Sequence, residues 1–107
     1  MKQWDVYNGD FPGGTHPAVI VSHPVRAANK PLVNALYCSS QRANRPPEKY
    51  EVRLNSADGL DWESHCRCDI LYVANRSELR QYRGSVSLER RRQIVRKIFE
   101  SFGWVLH

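Results

Sequence analysis

Helical periodicity is confined to the end of this chain, and the residues before it read as short strands and turns. Within residues 88–102 the apolar side chains Ile94, Val95, Ile98, Phe99 and Phe102 recur at i, i+1, i+4, i+5 and i+8, one stripe of a helix expected to be buried. Ser87 stands where an N-cap belongs, and Gly103 suits the C′ position. Arg90, Arg91, Arg92, Arg96 and Lys97 fall on the outer face, the pattern of a solvated surface. Upstream, residues 4–7, 17–22, 32–40, 50–54 and 66–73 carry strand patterns. Residues 8–14 read as a loop, 24–31 as a basic connection, 41–49 as a polar basic loop and 55–59 as a turn. Residues 76–81 are expected to form a single helical turn. Five or so short strands followed by one helix predict a mainly β fold, a small and strongly bent sheet or barrel.

The chain has 107 residues without repeat, low-complexity tract or linker, so residues 1–107 are read as one domain. That length buries roughly two thirds of the unfolded surface without staples. Sixteen Lys and Arg against eleven Asp and Glu give a formal charge of +5, which suits a polyanionic partner such as nucleic acid or an acidic protein segment. No segment approaches the roughly 20 apolar residues of a membrane span, and the start MKQWDVYNGD lacks an apolar signal core. The cytoplasm is the expected location. Cys38, Cys66 and Cys68 are odd in number, and a C-x-C pair on one strand face is poorly placed for a disulfide. His65 points away from both thiols on a strand, and no second ligand pair follows at zinc-like spacing. The cysteines are read as small buried hydrophobes, with no metal and no cofactor.

The chemistry concentrates at residues 65–69. Successive side chains on a strand face opposite sides, so Cys66, Cys68 and Ile70 are expected to face a core. His65, Arg67 and Asp69 then share the other face, roughly 6.6 Å apart along the strand. A cation, a carboxylate and an imidazole on one patch suit phosphodiester chemistry without a metal. The plainer alternative is a solvated strand face with an ordinary salt bridge, worth about 0–1 kcal/mol.

In their order, these pieces resemble the MazF/PemK family of toxin–antitoxin toxins. The residues that carry the resemblance are the first strand from Trp4 to Tyr7, a Gly/Pro loop, His16-Pro17-Ala18-Val19-Ile20-Val21-Ser22, and a strand ending Cys38-Ser39-Ser40. They continue with Asp58-Gly59-Leu60, Ser64, Cys66-Arg67-Cys68-Asp69, Leu79, and a helix running into Phe102-Gly103-Trp104. The resemblance implies an SH3-like, strongly curved β-barrel with a C-terminal helix, usually a homodimer. It also implies a metal-independent, sequence-selective endoribonuclease acting on single-stranded mRNA. A cognate antitoxin would hold the toxin inactive by covering the RNA site with an extended acidic tail.

Carried over by residue, Arg67 and Asp69 look like the Arg-Cys-Asp catalytic pair of the Kid/PemK branch. Ser40 falls where the family places a substrate-contacting Ser or Thr at a strand end. His16 stands before Pro17 where most members have an Arg, and the Kid/PemK branch draws a His from the preceding loop. The reaction so implied is attack of a ribose 2′-hydroxyl on the adjacent phosphate, leaving a cyclic phosphate and a free 5′-hydroxyl. It needs a base, a proton donor for the leaving oxygen, and positive charge at the phosphorane. Asp69 is cast as base and Arg67 as charge stabiliser, because a guanidinium does not readily release its proton. Histidine is the natural donor. His16 on the Gly-rich loop is assigned that catalytic role, while His65 competes for it and is otherwise a substrate contact.

Arg42 and Arg45, with Arg26 and Lys30, are expected to contact phosphates. Tyr37, Tyr50 and Trp62 are candidates for base stacking, although Tyr37 lies inside an apolar strand where core packing is the simpler expectation. The alternative function is a non-nucleolytic toxin on the same fold, as in CcdB-type gyrase poisons, or an inactive relative. His16 in place of Arg keeps that alternative open.

Overall fold

Alternation along one strand, β3 (Leu32–Ser39), divides the protein into two faces. Leu36 and Cys38 point into a core with Val6, Val19, Val52, Leu54 and Cys66, sealed by Ile94 from the C-terminal helix. Val33 and Ala35 point the other way, into a second cluster with Ala18, Ile20, Ala27 and Leu79. The protein is represented by a computed structural model that describes residues 1–40 and 44–106. A sheet with apolar residues on both faces cannot leave either side to water, so it curls.

The other elements are β1 (Asp5–Phe11), β2 (Gly14–Ile20), α1 (Pro24–Asn29), β4 (Glu51–Leu54), β5 (Ser64–Arg67), β6 (Tyr72–Asn75), β7 (Leu79–Ser85) and α2 (Leu88–Phe102). Two 3₁₀ turns, Ser56–Asp58 and Arg76–Glu78, complete them. The strands run β4-β5-β3-β2-β1-β7, and β6 pairs with β3 beside β5. Every pairing is antiparallel. The result is the expected mainly β architecture with a C-terminal helix, a strongly curved, barrel-like sheet that stays open rather than closing.

Several sequence expectations need correction. The Gly/Pro segment of residues 8–14 is hairpin rather than loop: β1 runs to Phe11, and only Pro12 and Gly13 turn the chain before Phe11 pairs with Gly14. With the φ of Pro12 locked negative, the turn is completed by positive φ at Gly13 (131°), a conformation that favours glycine. The expected strand at 66–73 splits, because four residues of β3 (Cys38 to Ala35) stand opposite seven (Cys66 to Tyr72). The three extra residues form a bulge over residues 68–71, which turns Ile70 outward to 37% exposure instead of into the core. The expected helical turn at 76–81 stops at Glu78, and β7 follows it, a strand the sequence reading missed. Its Arg80, Gln81 and Arg83 hide the alternation that would have marked it. The basic connection at 24–31 contains the short helix α1, whose final carbonyls accept hydrogen bonds from Arg76.

Helix α2 forms over the expected span, ending at Gly103 with φ 53°. Its first turn is held differently from expectation. The Ser87 hydroxyl makes no cap; instead its backbone N–H donates to Asp58 Oδ1 at 2.9 Å, while Asp58 Oδ2 accepts from the Asn55 N–H at 3.0 Å. A fully buried carboxylate thereby sits at the positive end of the helix. The apolar stripe is wider than the surface beneath it. Ile94 is buried and Ile98 packs on the core, but Val95, Phe99 and Phe102 are 40%, 59% and 40% exposed. Among the described residues no helix is long and apolar enough to cross a membrane.

Candidate active site

Where the bulge leaves β5, the face that carries Tyr37 and Ser39 of β3 opens into a cleft of ≈ 390 Å³. Glu51, His65, Arg67 and Asp69 line it together with Arg45, Glu48, Lys49 and Tyr50. Strand alternation accounts for most of the set, since Glu51 pairs with Arg67 and Ser39 with His65 across neighbouring strands. Arg67 and Asp69 meet in a two-pronged contact: Nε donates to Oδ1 and Nη2 to Oδ2, each at 3.2 Å. Their side chains are 42% and 33% exposed, so the pair faces the cleft rather than a dry interior. The Asp69 contact raises the Arg67 pKa above its ordinary value, against the opposing effect of burial. Arg67 is a fixed cation.

His65 is placed otherwise than a surface base. Its side chain is 1% exposed, wedged between Arg53 and Glu51. Arg53 Nε and Nη2 both lie 3.4 Å from Nε2, which must accept, leaving the proton on Nδ1. Nδ1 stands 3.5 Å from Glu51 Oε1 and has no hydrogen-bond partner among the described residues. Burial, with the Arg53 and Arg45 charges, holds the imidazole below its ordinary value near 6.5, against the pull of Glu51 and Glu63. For Glu51, burial pulls upward, but hydrogen bonds from Arg45 (2.9 Å) and the Glu48 N–H (2.8 Å), with the Arg45 charge, hold the carboxyl below 4.5.

Both depressed values have the same sign in folding. The unfolded chain binds more protons, so the contribution of neutral His65 is complete above pH 6.5 and is lost as pH falls below it. Glu51 extends that loss below 4.5. Thermal melts should therefore fall from about pH 7 to 5, and His65→Asn should flatten that slope. An identical slope in the variant would remove His65 as its source.

The remaining expected residues separate into those at the cleft and those away from it. Arg45 lines the cleft, but its guanidinium is engaged by Glu51 at 2.9 Å and Glu48 at 3.8 Å. Ser39 lines the cleft where Ser40 was expected, because alternation puts Ser39 on the face of Tyr37. Arg42 lies outside the described residues. Arg26 instead donates to the Leu32 carbonyl beside α1, and neither it nor Lys30 lines the cleft. Trp62 is 58% exposed away from the cleft, whereas Tyr50 and Tyr37 line it. Glu48, Lys49 and Glu51 were missed as site residues; the alternation at 50–54 marked the face of Glu51 but not its partner.

His16 sits on β2 rather than on a loop, pairing with Gly9. It is not part of the cleft wall. Tyr37 stands opposite Ala18, so His16, two residues earlier, is its diagonal neighbour on the same face. The rings lie 4.7 Å apart, with Tyr37 Oη 3.4 Å from His16 Nε2. Phe11 packs edge-on against Tyr37 at 5.0 Å and against Tyr72 at 5.4 Å. The cysteines are buried, and hydrogen bonds to Cys38 and Cys68, with burial, push the Cys66 thiol well above its ordinary value. Cys66 remains a protonated core group.

Over residues 2–102 the sequence matches the family described as PemK-like, MazF-like toxin of type II toxin-antitoxin system. No curated protein matches it by sequence. The Mycobacterium tuberculosis toxin MazF-mt6 superposes with a TM-score of 0.81 at 15% identity, over 95% of this chain and 99% of that one. An endoribonuclease from a mycobacterial species, in complex with its cognate antitoxin, gives 0.78 at 20% identity, over 100% and 97% of the two chains. MazE-MazF (Form-II) from Deinococcus radiodurans gives 0.77 at 16% identity, over 98% and 97%. At such identities the superpositions speak for the fold, and the sequence match, spanning all but the ends of the chain, speaks for descent. The chain belongs to the PemK-like, MazF-like toxins of type II toxin–antitoxin systems.

Proposed function

We propose that the protein is a single-domain, metal-independent endoribonuclease toxin that cuts single-stranded mRNA in the cytoplasm by 2′-hydroxyl attack. The observation that carries this reading is the two-pronged Arg67–Asp69 pair at the wall of an open cleft. Two of the five guanidinium N–H groups go to Asp69, which leaves both on Nη1 and the second on Nη2 for a phosphorane. Asp69, held beside that charge, takes the 2′-hydroxyl proton as the P–O2′ bond forms. Lys49, its ammonium 5.3 Å from the Tyr50 ring centre, has no carboxylate partner among the described residues and supplies a phosphate contact next to a stacking surface. Ser39 and the edge of His65 shape the floor, with Arg45 held by Glu51 as part of the wall.

The family assignment supports a cognate antitoxin as partner, its acidic extended tail lying along the RNA site, and a homodimer as the working form. Purified protein incubated in EDTA with single-stranded RNAs of varied sequence should yield fragments ending in 2′,3′-cyclic phosphate and 5′-hydroxyl. RNA left intact across that range overturns the reading.

A further inference from the structure

The reaction still lacks a donor for the 5′-oxygen, and the imidazole expected to provide it does not reach the cleft. We propose that the Tyr37 hydroxyl is that donor, with His16 as a positioning residue behind it; the inference rests on the nuclease reading of the cleft. Tyr37 lines the cleft together with Arg67 and Asp69, while His16 touches it only through Tyr37. The phenol is half-buried and clamped: Phe11 packs edge-on at 5.0 Å, and the His16 ring tilts against it at 4.7 Å. The backbone is built to allow this clamp. Ala18, directly opposite Tyr37, is small, and a side chain at Gly9 would come within 3.2 Å of the Phe11 ring.

A tyrosine held this way loses little freedom on engaging substrate, since its ring is already fixed. A phenol gives up its proton as charge develops on the leaving oxygen, which is what a general acid must do. The proton balance closes. The 2′-oxygen bonds to phosphorus and its proton passes to Asp69. As the P–O5′ bond breaks, the Tyr37 proton moves to the 5′-oxygen. The His16 Nε2–H, 3.4 Å away, donates to the phenol oxygen and steadies the developing phenolate; water then returns a proton to Tyr37 as Asp69 releases its own to water. Tyr37 is thus a catalytic residue in a position the sequence marked as core.

The test uses two substrates of identical sequence under single-turnover conditions, one with the ordinary 5′-oxygen and one with sulfur bridging at that position. A thiolate leaves without protonation, so loss of the donor matters only for oxygen. Tyr37→Phe keeps the ring packing and is expected to cut the oxygen substrate about 10²–10⁴-fold more slowly, yet the sulfur substrate at nearly the unsubstituted rate. His16→Ala should slow the oxygen substrate about 10-fold with KM unchanged, and His16→Gln, whose amide N–H can still donate to the phenol oxygen, should recover part of that loss. Equal slowing of both substrates by Tyr37→Phe, or none, overturns the donor assignment while the nuclease reading stands. If the unsubstituted protein cuts neither substrate, the nuclease reading falls and takes this one with it.

Discussion

Arg67→Ala is expected to slow RNA cleavage about 10³-fold or more while changing stability by no more than about 1 kcal/mol. The two numbers diverge because they measure different states. In the resting protein the Arg67–Asp69 pair is two-fifths and one-third exposed, so water replaces most of what the contact provides. In the phosphorane, the three N–H groups not given to Asp69 meet charge that exists only transiently. Arg67→Lys sharpens the test: it keeps the charge but loses the planar fork that holds Asp69 on one side and phosphate on the other, and it should retain only a small part of the rate. Asp69→Asn, nearly the same shape without the basic oxygen, should fall comparably in single-turnover rate. Paired rate measurements and thermal melts check all three variants. Normal cleavage by any of them means the roles are wrongly assigned.

Gly59→Ala should destabilise the fold by about 3 kcal/mol or more, through backbone rather than lost packing. Gly59 closes the 3₁₀ turn Ser56–Asp58 with φ 89°, and an added Cβ would stand 2.5 Å from the Arg83 carbonyl oxygen and 2.8 Å from Gly84 Cα. Neither neighbour is a flexible side-chain tip. Gly84 is itself at φ 152°, facing Gly59, so the turn and β7 touch main chain to main chain. That contact holds Asp58 where its carboxylate receives the Ser87 N–H and starts α2. Forcing the turn away from β7 therefore also loosens the helix that seals the Ile94 core. At roughly 4–8 °C per kcal/mol, calorimetry should find the melting point lowered by about 12 °C or more. A shift within about 3 °C would show that the seam opens without strain.

How much of this was legible beforehand can be argued from single residues. The helix at 88–102 was readable because its i, i+4, i+8 spacing is a local property, and Gly103 ends it for a local steric reason. The Arg67–Asp69 pair was readable because residues two apart in extended chain stay within reach of one another, and here they do so even though Asp69 lies in the bulge just past β5. The buried part of the helix stripe was not, since Ile94 is covered and Phe99 is not only because the sheet beneath is narrower than the stripe. Strand β7 was hidden because an edge strand pairs on one side and tolerates charge at nearly every position.

The sequence by itself determined the fold class, the family and the nearness of Arg67 to Asp69, because periodicity and short spacing are local properties of the chain. Only the tertiary structure decided what the histidines do. His65 is enclosed between Arg53 and Glu51 by its partner strand, and His16 is set behind Tyr37 by a hairpin tighter than its glycines suggested. An imidazole's role depends on which groups from distant strands stand within about 3.5 Å of it, and no local pattern encodes that.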